Sequence, residues 1–123
     1  MDLNSICELY RDWVQSSPFD KGNTMSNALD PLILPENQKN LVQTAKMSAY
    51  QKNHNSCSNG CLMKCSPIAV WAQDLSKEDL RIASRAETEI SHSNETSIDV
   101  CYIVNLAVKY LLNSNHIDPI FKS

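Results

Sequence analysis

Residues 95–112 set the terms for the rest of the chain. They hold Ile98, Val100, Cys101, Ile103, Val104, Leu106, Ala107, Val108, Leu111 and Leu112. Asn94 stands before them as a helix cap, and wound as a helix the segment is apolar nearly all round. A helix of that kind has no wet side, so it is expected at the centre of the molecule with other helices packed around it. The chain contains no run of about 18 apolar residues of the kind that crosses a membrane. It has two glycines in 123 residues, which disfavours a fold of many tight hairpins, a dinucleotide-binding loop or a P-loop.

The remainder supplies the cover. Residues 2–16 read as a helix, because Leu3, Ile6, Cys7, Tyr10 and Val14 recur at spacings of three and four, with Asp2 as the cap and Glu8 and Arg11 on the wet side. Ser17-Pro18 ends it, since the residue before proline is pushed out of the α region. Residues 18–22 read as a turn. Asn23 or Thr24 then caps a short helix bearing Met25, Ala28 and Leu29, which Asp30-Pro31 stops. Residues 32–35 read as an extended apolar linker. A third helix is expected over 36–50, with Leu41, Val42, Ala45 and Ala49 inward, and 51–58 as polar loop. A fourth helix is expected over 60–72, bent at Pro67 or restarted with Pro67 in its first turn. Ser76-Lys77-Glu78-Asp79 is a variant capping box opening a fifth helix to about Ser91, with Leu80, Ala83, Ala86 and Ile90 inward. Residues 113–123 read as a frayed tail. With no convincing strand, the chain is predicted to be a single all-α domain of about six helices.

A net charge of −3, with lysine and arginine scattered, gives no basic stripe for nucleic acid and no sign of an electrostatic membrane partner. No charged-then-apolar signal region is visible at the N-terminus, and five cysteines, an odd number, suit reduced thiols. The expected compartment is cytosol or nucleus.

Residues 53–71 carry the chemistry. They pack Cys57, Cys61 and Cys65 with His54, a Ser58-Asn59-Gly60 turn and an apolar run of Leu62, Met63, Ile68, Val70 and Trp71. Asn59-Gly60 is a turn signal because both residues tolerate positive φ. A polar loop feeding a buried helix presents backbone N–H groups to an anion. The three cysteines, four apart, share a face of a continuous helix and with His54 could be drawn as a soft-metal site, but the C-x2-C knuckles of zinc sites are missing. The plainer reading is small buried residues. A thiol with His54, His92 or His116 as base has no local signature behind it. His92, in Ser91-His92-Ser93-Asn94 at a helix–helix corner, reads as a capping or core residue, or as a ligand contact facing the Asn59-Gly60 loop. Trp13 and Trp71 read as core or semi-buried packing. Asp74, Glu78, Asp79, Glu87 and Glu89 read as solvated helix faces.

The segment Ser58-Asn59-Gly60-Cys61-Leu62-Met63-Lys64-Cys65-Ser66-Pro67 resembles the N-G-x-x-M-R-x-x-P segment of the ADP-ribosylglycohydrolase family. Ser91-His92-Ser93-Asn94 is similar to the family's T-H-x-x segment before a long apolar helix. Tyr10-Arg11-Asp12-Trp13, with residues 17–24 and Ala28-Leu29, is similar to its Y-x-x-W…P-x-D-x-G-x-T stretch, so the likeness covers residues 8–112. It implies an all-α orthogonal bundle and hydrolysis of the bond between ADP-ribose and its acceptor, assisted by two divalent cations, usually magnesium. It also implies that Ser56, Ser58, Asn59 and Gly60 form the loop approaching the diphosphate and ribose, with His92 contacting the nucleotide from the next corner. The departures are as informative. The family's T-D-D-T and D-x-D-T/S metal-ligand segments are missing, and Lys64 stands where the family usually has arginine, without the planar fork of donors. The resemblance therefore implies a partial glycohydrolase-like chain, weak or inactive alone, with no tightly held magnesium. The alternatives are a non-catalytic ADP-ribose or nucleotide-binding module, and a helical interaction protein that self-associates through apolar surface left bare on its last helix.

Overall fold

In the computed structural model the described residues are 1–18 and 21–113. Phe19 and Asp20 of the 18–22 turn, and residues 114–123 of the tail with His116, therefore lie outside the described residues. Seven helices and no strand make up the described residues: α1 Leu3–Gln15, α2 Asn23–Leu29, α3 Leu41–Asn53, α4 Gly60–Lys64, α5 Ser66–Trp71, α6 Lys77–Thr88 and α7 Glu95–Asn113. The fold is all-α, as expected. The seventh helix arises because residues 60–72 divide at Cys65, with Pro67 in the first turn of α5, where its missing N–H is harmless.

Local rules account for several boundaries. Asp2 Oδ1 accepts from the Ser5 amide at 3.1 Å and opens α1. Ser76 Oγ accepts from the Asp79 amide at 3.1 Å and opens α6. Asn94 Oδ1 accepts from the Thr96 amide at 2.9 Å at the head of α7. Each satisfies an amide that the first helical turn leaves without a partner.

Four expectations are corrected. The residue capping α2 is Gly22, with φ 73 and ψ 155, not Asn23 or Thr24. That backbone region is open almost only to glycine. Residues 32–35 are not an extended linker: two 3₁₀ turns, Asp30–Ile33 and Pro35–Asn37, fold the segment inward and bury Leu32. Those turns delay α3 to Leu41. The Asn37 amide donates to the Pro31 carbonyl at 2.7 Å, and the Gln38 amide donates to the carbonyls of Leu32 and Leu34 at 2.7 and 2.8 Å. Side chains thus hold the backbone in turns where helical periodicity alone favoured a helix. Of the apolar run in the 53–71 stretch only Ile68 is buried: Met63 is 82 % exposed and Val70 and Trp71 about half, while Cys61, Cys65, Ala69 and Ala72 face inward beside Ile68.

The helices form two packed groups. Cys7, Val14, Ala28, Leu29, Leu32, Leu41, Ala45 and Ala49 make one core among α1, α2 and α3, and Ile90 closes it from beyond the end of α6. Ile68, Ala72, Leu80 and Ala83, with Tyr102 and Leu106, make a second among α5, α6 and α7. The last helix is not surrounded. Ser97, Ile98, Cys101 and Asn105 are buried on one stripe, whereas Val100, Ile103, Ala107, Tyr110 and Leu111 lie along an exposed one. The expectation of a central, all-round-buried α7 is therefore wrong for the described residues: elements lie against one side of it. No described helix is long and apolar enough to cross a membrane.

Candidate functional site

The loop that joins α3 to α4 lies over the corner between α6 and α7. His92, at that corner, is fully buried. Its Nε2 lies 3.1 Å from Ser58 Oγ and its Nδ1 lies 2.7 Å from Ser91 Oγ. Gly60 rests on the same ring: a Cβ there would meet Cε1 and Nε2 of His92 at 3.5 Å. The ring is thus a floor beneath the loop. Burial pushes the His92 pKa down to about 4, with the Lys64 charge pushing the same way, so the imidazole is neutral at pH 7.

The loop is tied to the start of α2 as well. Asn53, the last residue of α3, is buried. Its Nδ2 donates to the Thr24 carbonyl at 2.8 Å and the Ser91 carbonyl at 3.0 Å, while its Oδ1 accepts from Asn27 at 3.2 Å. Thr24 Oγ1 lies 3.1 Å from Ser56 Oγ. One side chain therefore joins α2, α3 and the 91–92 corner. The sequence reading gave Asn53 no role, though a signal existed. Leu41, Ala45, Ala49 and Asn53 fall at every fourth position of α3, so Asn53 is the polar residue on its buried stripe. A buried amide in that position must find partners, and those it finds define the site.

Between these elements is a cavity of about 220 Å³, lined by Lys21, Gly22, Asn23, Thr24 and Met25 on one side and by Ser58, Asn59, Gly60 and Met63 on the other. Of the sequence-derived candidates, Ser58, Asn59 and Gly60 line it. Ser56 touches it through Thr24, and His92 supports it from below without exposed surface of its own. Two details of the loop differ from expectation. Asn59 has φ −89 and Gly60 is not in the positive-φ region, so this turn does not depend on left-handed backbone. And α4 is five residues long, with the Leu62 amide already bonded to the Asn59 carbonyl at 3.0 Å, so its dipole offers an anion little. The cationic group at the rim is Lys21, whose Nζ is 2.5 Å from Asp30 Oδ1.

Among the described residues the cavity lining contains serine, threonine and asparagine oxygens and an ammonium, and no carboxylate. A binuclear magnesium site needs several converging carboxylate oxygens, so the donor set of the described residues does not fit one. Nor does any group of three or more His, Cys, Asp or Glu among the described residues suit a metal. His54 is exposed, bonds the Tyr50 carbonyl at 2.9 Å through Nδ1 and stacks on the Tyr50 ring, away from the cysteines. Cys57 is exposed and leaves the expected trio, and Cys101 takes its place beside Cys61 and Cys65.

Residues 1–122 match the model of the ADP-ribosylglycohydrolase family. The chain belongs to that family. A protein of Acanthamoeba polyphaga mimivirus whose name places it among the ADP-ribosyl glycohydrolases is 23 % identical over 126 residues, covering 98 % of this chain and 36 % of the relative. The chain thus spans about a third of the length of the curated relative it matches. No solved structure gives a significant match. Within this glycohydrolase-family chain, the segment bearing the N-G-x-x-M likeness and the segment bearing the P-x-D-x-G-x-T likeness face each other across one cavity.

The family position usually held by arginine points elsewhere. Lys64 Nζ lies 2.6 Å from Glu87 Oε1 and 3.2 Å from the Glu87 carbonyl, and 5.4 Å above the Tyr10 ring. The Tyr10 hydroxyl donates to the same Glu87 oxygen at 2.5 Å. Glu87, expected on a solvated face, is instead buried, because Lys64 and Tyr10 neutralise and bond it there. Burial first, and the Glu87 charge second, push the Tyr10 phenol well above its ordinary range.

Proposed function

We propose that this chain is an ADP-ribose-binding member of the ADP-ribosylglycohydrolase family whose 123 residues alone hydrolyse ADP-ribosyl bonds weakly or not at all. The supporting observation is the cavity between residues 21–25 and 58–60: hydroxyl and amide groups suited to a ribose and a phosphate line it, and among the described residues no carboxylate does. At about 220 Å³ it is below the usual range for small-molecule sites, roughly 300–1,000 Å³. It would take the ribose-phosphate part of ADP-ribose and leave the remainder outside. Ser58, Asn59 and Gly60 would meet the ligand. Ser56 would hold Thr24 in place, and His92, neutral and buried, would hold Ser58. Magnesium, which the family's chemistry uses, would find no carboxylate set among the described residues, so no step is assigned to it. The compartment in this reading is cytosol or nucleus.

Calorimetric titration with ADP-ribose tests binding. Heat that saturates by millimolar ligand and is lost in Asn59→Ala supports the reading, and no heat at millimolar ligand sinks it. Release of ADP-ribose from a modified protein with added magnesium tests the second half, and robust turnover by the isolated chain overturns it. A helical interaction protein is the second reading, favoured by the bare stripe of Ile103, Tyr110 and Leu111 on α7.

A further inference from the structure

Two serines flank the buried His92 ring, and the direction of their hydrogen bonds decides what the cavity can receive. Nδ1 meets Ser91 Oγ at 2.7 Å and Nε2 meets Ser58 Oγ at 3.1 Å. A ring turned over would set carbons against both hydroxyls, so its orientation is fixed. The imidazole is neutral at pH 7, because burial and then the Lys64 charge push its pKa down to about 4. A neutral ring has one N–H and one lone-pair nitrogen. One serine therefore donates to the ring and the other accepts from it.

Burial decides which. Ser91 is fully buried, and among the described residues its hydroxyl has one partner, His92 Nδ1. Accepting there would strand the Ser91 proton, and an orphaned buried donor is rarer and costlier than an idle lone pair. Ser58 is exposed, so water or a ligand can take a proton that the ring does not. Ser91 thus donates to Nδ1, the ring proton stands on Nε2, and Nε2–H donates to Ser58 Oγ. Ser58 keeps its own proton free. Its amide already donates to Ser56 Oγ at 3.4 Å, so the hydroxyl is what Ser58 brings to the cavity. Accepting from the ring makes that hydroxyl a stronger donor, since successive hydrogen bonds polarise one another.

We infer that Ser91 is a positioning residue: through His92 it holds the Ser58 hydroxyl as a donor toward the cavity, where it meets a phosphate oxygen of the ligand. The phosphate rests on the ADP-ribose reading, and the proton arrangement does not. A ribose hydroxyl adapts to a donor or an acceptor, whereas phosphate oxygens are strong acceptors, so a fixed donor favours the phosphate. The Lys21 ammonium at the rim is shared with Asp30 and does not make that choice alone.

The test uses the full chain with nitrogen-15 histidine at pH 7, without ligand. Three histidines give ring signals, and His92→Gln identifies those of His92. Couplings of the ring nitrogens to the ring protons tell the tautomers apart. The expected result is protonated Nε2 and bare Nδ1. In Ser91→Ala either tautomer leaves one buried nitrogen unpaired, so both should appear, and Ser91→Thr should restore the single form. Titration with ADP-ribose and with adenosine reads the ligand side. Ser58→Ala should weaken ADP-ribose roughly tenfold or more. Ser91→Ala should weaken it roughly twofold, since about half the molecules would carry the competent tautomer. Adenosine, without phosphate, should bind far more weakly and be unmoved by either change. A proton on Nδ1 in the native chain, or a tautomer that Ser91→Ala leaves unchanged, overturns the inference whether or not ADP-ribose binds. Equal losses for the two ligands overturn the phosphate assignment. No heat with ADP-ribose alongside a protonated Nε2 sinks the ADP-ribose reading and the phosphate assignment, and leaves the hold of Ser91 on the ring standing.

Discussion

His92 Nε2 lies 3.1 Å from Ser58 Oγ, and through that contact a fully buried imidazole carries an exposed loop. The contact joins the Ser58-Asn59-Gly60 loop to the Ser91-His92-Ser93-Asn94 corner, and it places the loop over the cavity without offering the ring to a ligand.

Acid should loosen this arrangement. The His92 pKa lies at about 4 in the folded chain against an ordinary 6.5, because the buried ring disfavours the cation. The unfolded chain therefore binds the extra proton between those values. The contribution of neutral His92 is complete above pH 6.5 and is lost as pH falls from 6.5 towards 4. By the shift it is on the order of 3 kcal/mol. Urea denaturation across that window should show the loss, and His92→Gln should flatten it.

The Lys64–Glu87 pair should be intolerant of single changes. Their side chains are 12 % and 4 % exposed, so removing either partner leaves the other charged group nearly dry. Lys64→Met or Glu87→Leu should each cost about 3–5 kcal/mol, and the double variant less than their sum, because an apolar pair leaves no orphaned charge. Chemical denaturation of the four proteins checks the coupling.

The two glycines should respond differently to alanine. Gly22 has open space around its missing Cβ but sits at φ 73 and ψ 155, so Gly22→Ala should cost roughly 1–3 kcal/mol through backbone strain alone. Gly60 has ordinary backbone and its new Cβ would make van der Waals contact with His92 at 3.5 Å, so Gly60→Ala should change stability by less than about 0.5 kcal/mol. Thermal melts of the two variants distinguish these cases.

The bare stripe on α7 should drive self-association. Ile103, Tyr110 and Leu111 are each more than 60 % exposed and lie within eight residues of one another on α7. Light scattering should show mass rising with concentration, and Ile103→Glu should return a monomer. A monomer at every concentration in the native sequence counts against that surface being sticky.

Helix existence was legible where the determinants are close in sequence. The α1 stripe of Cys7, Tyr10 and Val14, and the caps Asp2, Ser76 and Asn94, each depend on residues two to four positions apart, and a helix or its first turn brings such residues together by itself. The start of α3 was not legible, because Asn37 and Gln38 compete with helix by bonding carbonyls up to six residues back. Nor was the partial exposure of α7: its composition allows cover on every side, and only packing decides how many sides receive it.

The site divides in the same way. By itself the sequence determined the family, the all-α class and the identity of the Ser58-Asn59-Gly60 loop, since these rest on residue types at fixed short spacings. Tertiary structure decided that Asn53 joins three elements, that Glu87 is buried under Lys64 and Tyr10, that Cys101 replaces Cys57 in the thiol cluster, and that His92 is a floor beneath the loop. Those partners lie twenty or more residues apart. A hydrogen bond or ion pair across that distance depends on where the packed helices bring two side chains, and residue spacing along the chain carries no record of it.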